Sequence, residues 1–181
     1  VFNTGIENIE EADSCLIVGC NVRKTSPIIN ARIRSRYLSG QLQIAAIGVD
    51  ADLTYKYDNL GLNISILKDI LLGKNDYAKI LKSSKKPMII LGEEVLSGSV
   101  AHDTLSLIKE IVKKYDFIKQ GWNGFNIMHD NASLTGALDL GFVSKNDKIH
   151  KKTILDSCKK GKIKALYLLA EDNIEFADLS E

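Results

Sequence analysis

Short runs of continuous apolar residues alternate along this chain with stretches in which apolar residues recur every three or four positions. The run Cys15, Leu16, Ile17 and Val18, bounded by Ser14 and Gly19, reads as a strand hidden on both faces, as a parallel sheet covered on two sides requires. Gly19 then allows a sharp turn, residues 20–25 read as a polar loop, and Ser26 with Pro27 reads as an N-cap followed by proline at the first helical position. Ile29, Ile33 and Tyr37 mark the buried stripe of a helix that closes at Gly40, with Arg32 and Arg36 on another face. The segment QIAAIGV at 43–49 is a second buried strand, reached by the crossover that parallel strands need.

The same alternation continues. Residues 2–12 read as a short acidic helix capped by Thr4, with Ile6 and Ile9 on one face. Residues 50–61, DADLTYKYDNLG, read as a polar and aromatic loop at the carboxyl end of the second strand. Helices are expected over 63–73, closed by Gly73, and over 76–81. Lys82, Lys85 and Lys86 then form a charged rim before Pro87, and 88–91 is a third strand ending in Gly92, Glu93 and Glu94. Residues 100–115 are the clearest amphipathic helix, through Leu105, Ile108, Ile111, Val112 and Tyr115. The stretch 119–141 holds Trp122 between glycines and His129 in a helix-like run. A loop at 142–147, a basic helix at 149–160 and a fourth strand at 164–170, KALYLLA, complete the series. The pattern is α/β, a three-layer α/β/α arrangement around a mainly parallel sheet, without an internal repeat.

Composition narrows the function classes. The 181 residues carry 24 basic and 23 acidic side chains, a formal charge of +1, so no overall field draws the chain to nucleic acid. The longest apolar runs are too short for direct membrane insertion. The sequence opens on Val1 without a start methionine or signal pattern and reads as a piece of a longer chain. Three cysteines make no disulfide framework and fit a reducing compartment, where Asn63 and Asn131, each in an Asn-x-Ser triplet, need no glycan. Cys15 and Cys20, five residues apart on an extended strand, would lie about 16 Å apart and on opposite faces. With Cys158 adding no third ligand, no metal site is expected.

Candidate chemistry is sparse. Adjacent Glu93 and Glu94 have no histidine or nucleophile close in sequence, and His129 belongs to no metal-ligand pair, so no catalytic residue is expected. Asp50 and Asp52 have the chemistry to hold a ribose or a metal, though such aspartates more often make turns with their own backbone. Ligands of open α/β sheets bind beyond the carboxyl ends of strands, which is where residues 19–24 fall. That turn lacks the three glycines of a dinucleotide fingerprint and the lysine ending of a phosphate loop. Gly19, Asn21 and Arg23 at the first strand end, with Asp50 at the second, are the candidates for a vestigial binding site.

The run NTGIENIEEADSCLIVGCNVRKTSPIINARIRSRYLSGQLQIAAIG carries a resemblance, followed in order by DLTYKYDNLG, KKPMIILG, the stretch 122–133, ALDLG and KALYLLAED. Together these resemble the carboxyl-terminal region of the large iron-sulfur subunit of respiratory complex I, the G chain of the bacterial NADH:quinone oxidoreductase. That region is similar in fold to the molybdopterin-dependent oxidoreductases, such as formate dehydrogenase. The resemblance implies that residues 1–181 are a fragment of one such domain, continuing past Glu181 with more strands. The iron-sulfur domains and their cysteines would lie upstream in the parent subunit. It implies no cofactor in this fragment and no catalysis of its own. The partners implied are other peripheral-arm subunits of complex I, on the cytoplasmic side of the bacterial inner membrane and peripheral to it. Two departures from the molybdenum enzymes stand out: Val22 where they commonly have proline, and a second strand without their Asp-Pro-Arg ending. The rival expectation is a nucleotide- or pterin-binding oxidoreductase domain built on the same turns.

Overall fold

The computed structural model describes residues 2–96, 101–129, 133–142 and 151–167, which fall into two units, 1–132 and 133–181. The first unit is built on five strands: β1 (Ser14–Val18), β2 (Gln43–Ile47), β3 (Asp58–Gly61), β4 (Pro87–Gly92) and β7 (Phe125–Met128). Their order across the sheet is β3-β2-β1-β4-β7, and every neighbouring pair is parallel. All five residues of β1 and all six of β4 are buried, which explains their unbroken apolar runs.

Alternation along the strands divides the core into two layers. Leu16, Val18, Ile89 and Leu91 face one way, against α3 (Ser65–Leu72), α4 (Asp76–Ser83) and α5 (Ala101–Lys114). Cys15, Ile17, Met88 and Ile90 face the other way, against α2 (Pro27–Leu38) through Ile29 and Ile33. The expected three-layer α/β/α arrangement with a parallel sheet is therefore the fold of this unit. Each such aliphatic side chain contributes roughly 1.5–3 kcal/mol by leaving water, so the two layers dominate the stability of the sheet.

Several local expectations are corrected. Residues 20–25 are not a plain loop: Asn21 Oδ1 accepts the Lys24 backbone N–H at 3.2 Å and starts a one-turn helix, α1 (Val22–Thr25). Pro27 does open α2, but the Ser26 side chain makes no capping bond. The amino-terminal helix is only a 3-10 helix at Glu7–Glu11. Thr4 is no cap; it is buried, its Oγ1 donates to the Asn123 carbonyl at 2.9 Å, and its N–H donates to Asn126 Oδ1 at 2.9 Å.

The largest corrections concern strands. Residues 58–61 were expected in a loop and instead form β3, a polar edge strand beside β2. The stretch 119–141, expected to hold a helix-like run containing His129, starts instead as an antiparallel hairpin, β5 (Ile118–Lys119) with β6 (Trp122–Asn123), and then β7. His129 follows β7 outside any helix, and the helical part of the stretch among the described residues is Leu134–Asp139. Gly124 sits so close to β4 that a Cβ there would lie 2.0 Å from the Pro87 carbonyl oxygen, while Trp122 Nε1 donates to the same oxygen at 2.8 Å. In the second unit, α6 (Leu134–Asp139) and α7 (Lys151–Lys159) are helical, the latter within the expected basic helix. The expected fourth strand has no strand over 164–167, and its remainder, 168–170, lies outside the described residues, as do most of the 142–147 loop and Asn131. Among the described residues no helix is long and apolar enough to cross a membrane.

Candidate functional site

From β1 the chain passes by α2 to β2 on one side, and its later strand β4 lies on the other side of β1. Such a reversal leaves a crevice beyond the carboxyl ends of the strands. A cleft of about 1010 Å³ lies there, and it brings together all four residues singled out from sequence, Gly19, Asn21, Arg23 and Asp50. Its floor is backbone. The Gly19 N–H donates to the Ile47 carbonyl at 2.8 Å, carrying the sheet pairing one residue past β1. Gly19 has φ +62°, and a Cβ on it would meet Val95 Cγ2 at 2.0 Å. A Cβ on Gly92 would lie 2.0 Å from the Gly19 carbonyl oxygen, so the ends of β1 and β4 are in direct backbone contact.

The walls are polar groups that engage one another. Arg23 Nη1 reaches Asp52 Oδ2 at 2.6 Å and the Asp52 carbonyl at 3.0 Å, which ties the first strand end to the second. The Tyr57 hydroxyl donates to Asp50 Oδ1 at 2.5 Å and accepts the Ala51 N–H at 2.9 Å. That hydroxyl holds the Asp50 carboxyl below its ordinary pKa. Asp52 is also held low, first by the Thr54 N–H on Oδ1 at 2.9 Å and then by Arg23. Asp52 thus makes the local turn that its sequence favours, and Thr54 takes the left-handed conformation, φ +72°, at the turn.

Three residues that shape this loop are absent from the sequence-derived candidates. Asn30, buried on α2, donates from Nδ2 to the Leu53 carbonyl at 3.0 Å and accepts the Tyr55 hydroxyl on Oδ1 at 2.9 Å. Burial pushes the Tyr55 hydroxyl far above its ordinary pKa, so it remains a proton donor to Asn30. Tyr57 completes the set. The aromatic character of DLTYKYD was a signal that the loop packs, but the partner on α2, 23 residues before Leu53, is a tertiary fact.

Cys15 and Cys20 pack in the same layer of the core, against α2, and not on opposite faces as expected. The extended strand stops at Val18, and the left-handed Gly19 redirects the chain before Cys20. Burial pushes the Cys15 thiol up, away from the thiolate a metal requires. No group of three or more His, Cys, Asp and Glu among the described residues is placed to hold a metal ion. His129 follows β7 directly, and its Nδ1 lies 3.7 Å from Glu93 Oε2, so the fold brings a histidine to a glutamate that has none near it in sequence. At that distance the two side chains are neighbours without a hydrogen bond between them. The Glu94 side chain lies outside the described residues.

A doubly covered parallel sheet with a cleft at its strand reversal defines an α/β domain of the cofactor-cleft type. Residues 1–180 match the family model for molybdopterin oxidoreductase, and the chain belongs to that family. Similar proteins include the G subunit of the NADH-quinone oxidoreductase of Rickettsia prowazekii (strain Madrid E), 40% identical over 99% of this chain and 25% of that one. The corresponding protein of Rickettsia bellii (strain RML369-C), with the same name, is 38% identical over the same shares. The NADH-ubiquinone oxidoreductase 75 kDa subunit of Reclinomonas americana is 39% identical over 100% of this chain and 26% of that one. The chain therefore spans about a quarter of the length of the curated relatives it matches.

Proposed function

We propose that this chain is the molybdopterin-oxidoreductase-like region of a G subunit of a proton-pumping NADH:quinone oxidoreductase, and that it acts there as a scaffold without catalysis of its own. Electrons would pass from NADH to quinone through the whole complex, with iron-sulfur clusters in the upstream part of the parent subunit. The region would sit in the peripheral arm, among other subunits, on the cytoplasmic side of a bacterial inner membrane. The names of the relatives support the assembly.

The observation that carries the scaffold reading is the pairing of cleft groups with one another: Arg23 with Asp52, and Asp50 with Tyr57. A pterin dinucleotide brings two phosphates and needs free cations or converging N–H groups. Here Asp50, Asp52 and Glu93 line the same cleft as Arg23 and Lys24, so carboxylates outnumber cations where the phosphates would rest. The residues present do not fit that group. Nor is a pyrophosphate cradle supplied by α1, a single turn.

The rival, a nucleotide- or pterin-binding oxidoreductase domain, draws on the cleft's size and its place at the strand reversal. One experiment separates the two. The purified complex containing the full subunit is acid-denatured, oxidised, and assayed for the fluorescence of released pterin and the absorbance of released nucleotide not accounted for by its other subunits. The scaffold reading expects no pterin above background. One pterin or extra nucleotide per subunit would overturn it.

A further inference from the structure

At the opposite end of the sheet from the cleft, where α3 and α5 finish and the chain enters β4, lies a second concavity of about 430 Å³. Four lysines line it, Lys79, Lys82, Lys114 and Lys119, against one carboxylate, Asp116. This is a local excess of positive charge on a chain whose formal charge is only +1. Two of the four are engaged. Lys79 pairs with Asp76 at 2.7 Å, and Lys114 Nζ donates to the Leu71 carbonyl at 2.5 Å. Lys82 and Lys119 are exposed, and neither has a side-chain partner among the described residues. Lys86, nearby in sequence, is by contrast held by Glu11 and the Trp122 ring.

Helix ends account for part of this charge. The carboxyl termini of α3 and α5 reach the concavity, and their last carbonyls carry partial negative charge. Among the described residues its lining includes no helix amino terminus, whose N–H groups a bound phosphate prefers. Long ammonium side chains reaching outward suit carboxylates presented on another surface. Beside them in the chain stand two exposed aliphatic residues, Leu72 next to Gly73 and Ile118 next to Lys119, at 55% and 53% exposure. Apolar anchors within a charged surround are the composition of a protein interface.

We propose that this basic face docks an acidic segment of another subunit, with Asp or Glu side chains meeting Lys82 and Lys119 and an apolar side chain covering Leu72 and Ile118. The proposal rests on the scaffold reading and names the surface by which the scaffold is held.

The test uses the assembled complex containing the full-length subunit. A water-soluble carbodiimide, which joins a lysine directly to a touching carboxylate, is applied and the products are mapped by mass spectrometry; amine labelling of each lysine is measured in parallel on the complex and on the isolated subunit. The expected result is an amide between Lys82 or Lys119 and an Asp or Glu of a different subunit, with loss of amine labelling at both lysines on assembly. In a K82E/K119E double variant, with K82Q/K119Q to separate charge reversal from charge loss, recruitment of that subunit should weaken by about tenfold for each ion pair removed. Full labelling of both lysines in a complex that retains this subunit would overturn the docking proposal and leave the scaffold reading standing. Failure of the subunit to enter any complex would overturn the scaffold reading itself. Cross-links only to carboxylates of the same polypeptide, or protection of the lysines by inorganic phosphate in the isolated subunit, would overturn the docking proposal in favour of an internal contact or a small anion.

Discussion

The two ends of one sheet are put together differently. Beyond the carboxyl ends of β1 and β4 the backbone closes on itself through Gly19 and Gly92, and the charged groups above pair within the chain, Arg23 with Asp52 and Asp50 with Tyr57. At the amino ends Asp13 is fully engaged, but Lys82 and Lys119 extend from a concave face with no partner among the described residues. In this fold the carboxyl end is where ligands are expected. The position of a cleft identifies where chemistry has room; the state of its polar groups tells whether they are available for it.

The comparison breaks most visibly at its tightest point. Gly92→Ala puts a Cβ 2.0 Å from the Gly19 carbonyl oxygen, a backbone atom that can move only if the end of β1 moves. The expected loss is at least about 3 kcal/mol in urea unfolding followed by the fluorescence of the single tryptophan, Trp122. Unchanged stability would mean that the two strand ends are not held together as described. Asn30→Ala comes next. It strands the Leu53 carbonyl and the Tyr55 hydroxyl, both otherwise satisfied by that one side chain, and should cost about 2 kcal/mol in the same assay. The free loop should also become the first site of limited proteolysis, within residues 50–57; cleavage elsewhere would show that Asn30 is not what holds it.

How far the sequence could be read depends on which forces act at each strand. β1, β2 and β4 are legible because both faces are covered, so nearly every position is apolar. β3 and β7 are not, because edge strands tolerate polar residues. β7 is the sharper case: Asn126 is fully buried and would be costly alone, yet it is satisfied by Thr4, 122 residues earlier, and by the Ile89 carbonyl at 3.2 Å. No periodicity reveals such a pair. In the cleft, the turn made by Asp52 was readable because Asx turns are local, and the convergence of Gly19, Asn21, Arg23 and Asp50 followed from the expected parallel sheet. The Asn30–Tyr55 clamp and the approach of His129 to Glu93 depend on which helices and strands come to lie side by side.

At the amino end, Asp13 offers a pH test. Its carboxylate accepts the Ser84 hydroxyl, the Lys85 N–H at 2.6 Å and the Lys86 N–H at 3.0 Å. Burial alone would raise its pKa, but these hydrogen bonds outweigh burial and leave it below the ordinary value. A carboxyl lowered in the folded state stabilises fully above its unfolded pKa, about pH 4, and that contribution is lost as pH falls through the lowered folded value. Asp13→Asn should therefore cost on the order of 1 kcal/mol at neutral pH, partial exposure screening the rest. The difference from the unsubstituted chain should shrink as pH falls through the lowered folded value, toward the residual hydrogen-bond loss that remains once both side chains are neutral. A difference that does not change with pH would show that the charge of Asp13 is not what the Ser84–Lys86 turn depends on.

The smallest expected effect is the most informative about the cleft. Arg23→Ala removes the ion pair to Asp52, but both side chains are well exposed, at 48% and 77%, and water replaces much of what is lost. Asp52 keeps the Thr54 N–H, the first cause of its lowered pKa, so the turn retains its shape. The unfolding midpoint should stay within experimental reproducibility, and inorganic pyrophosphate should shift it in neither the substituted nor the unsubstituted chain. A pyrophosphate-dependent rise in the unsubstituted chain that disappears on removal of Arg23 would mean that the guanidinium leaves Asp52 for an anion. The contrast between an internally paired carboxyl end and an open amino end would then fail at the residue on which it most depends.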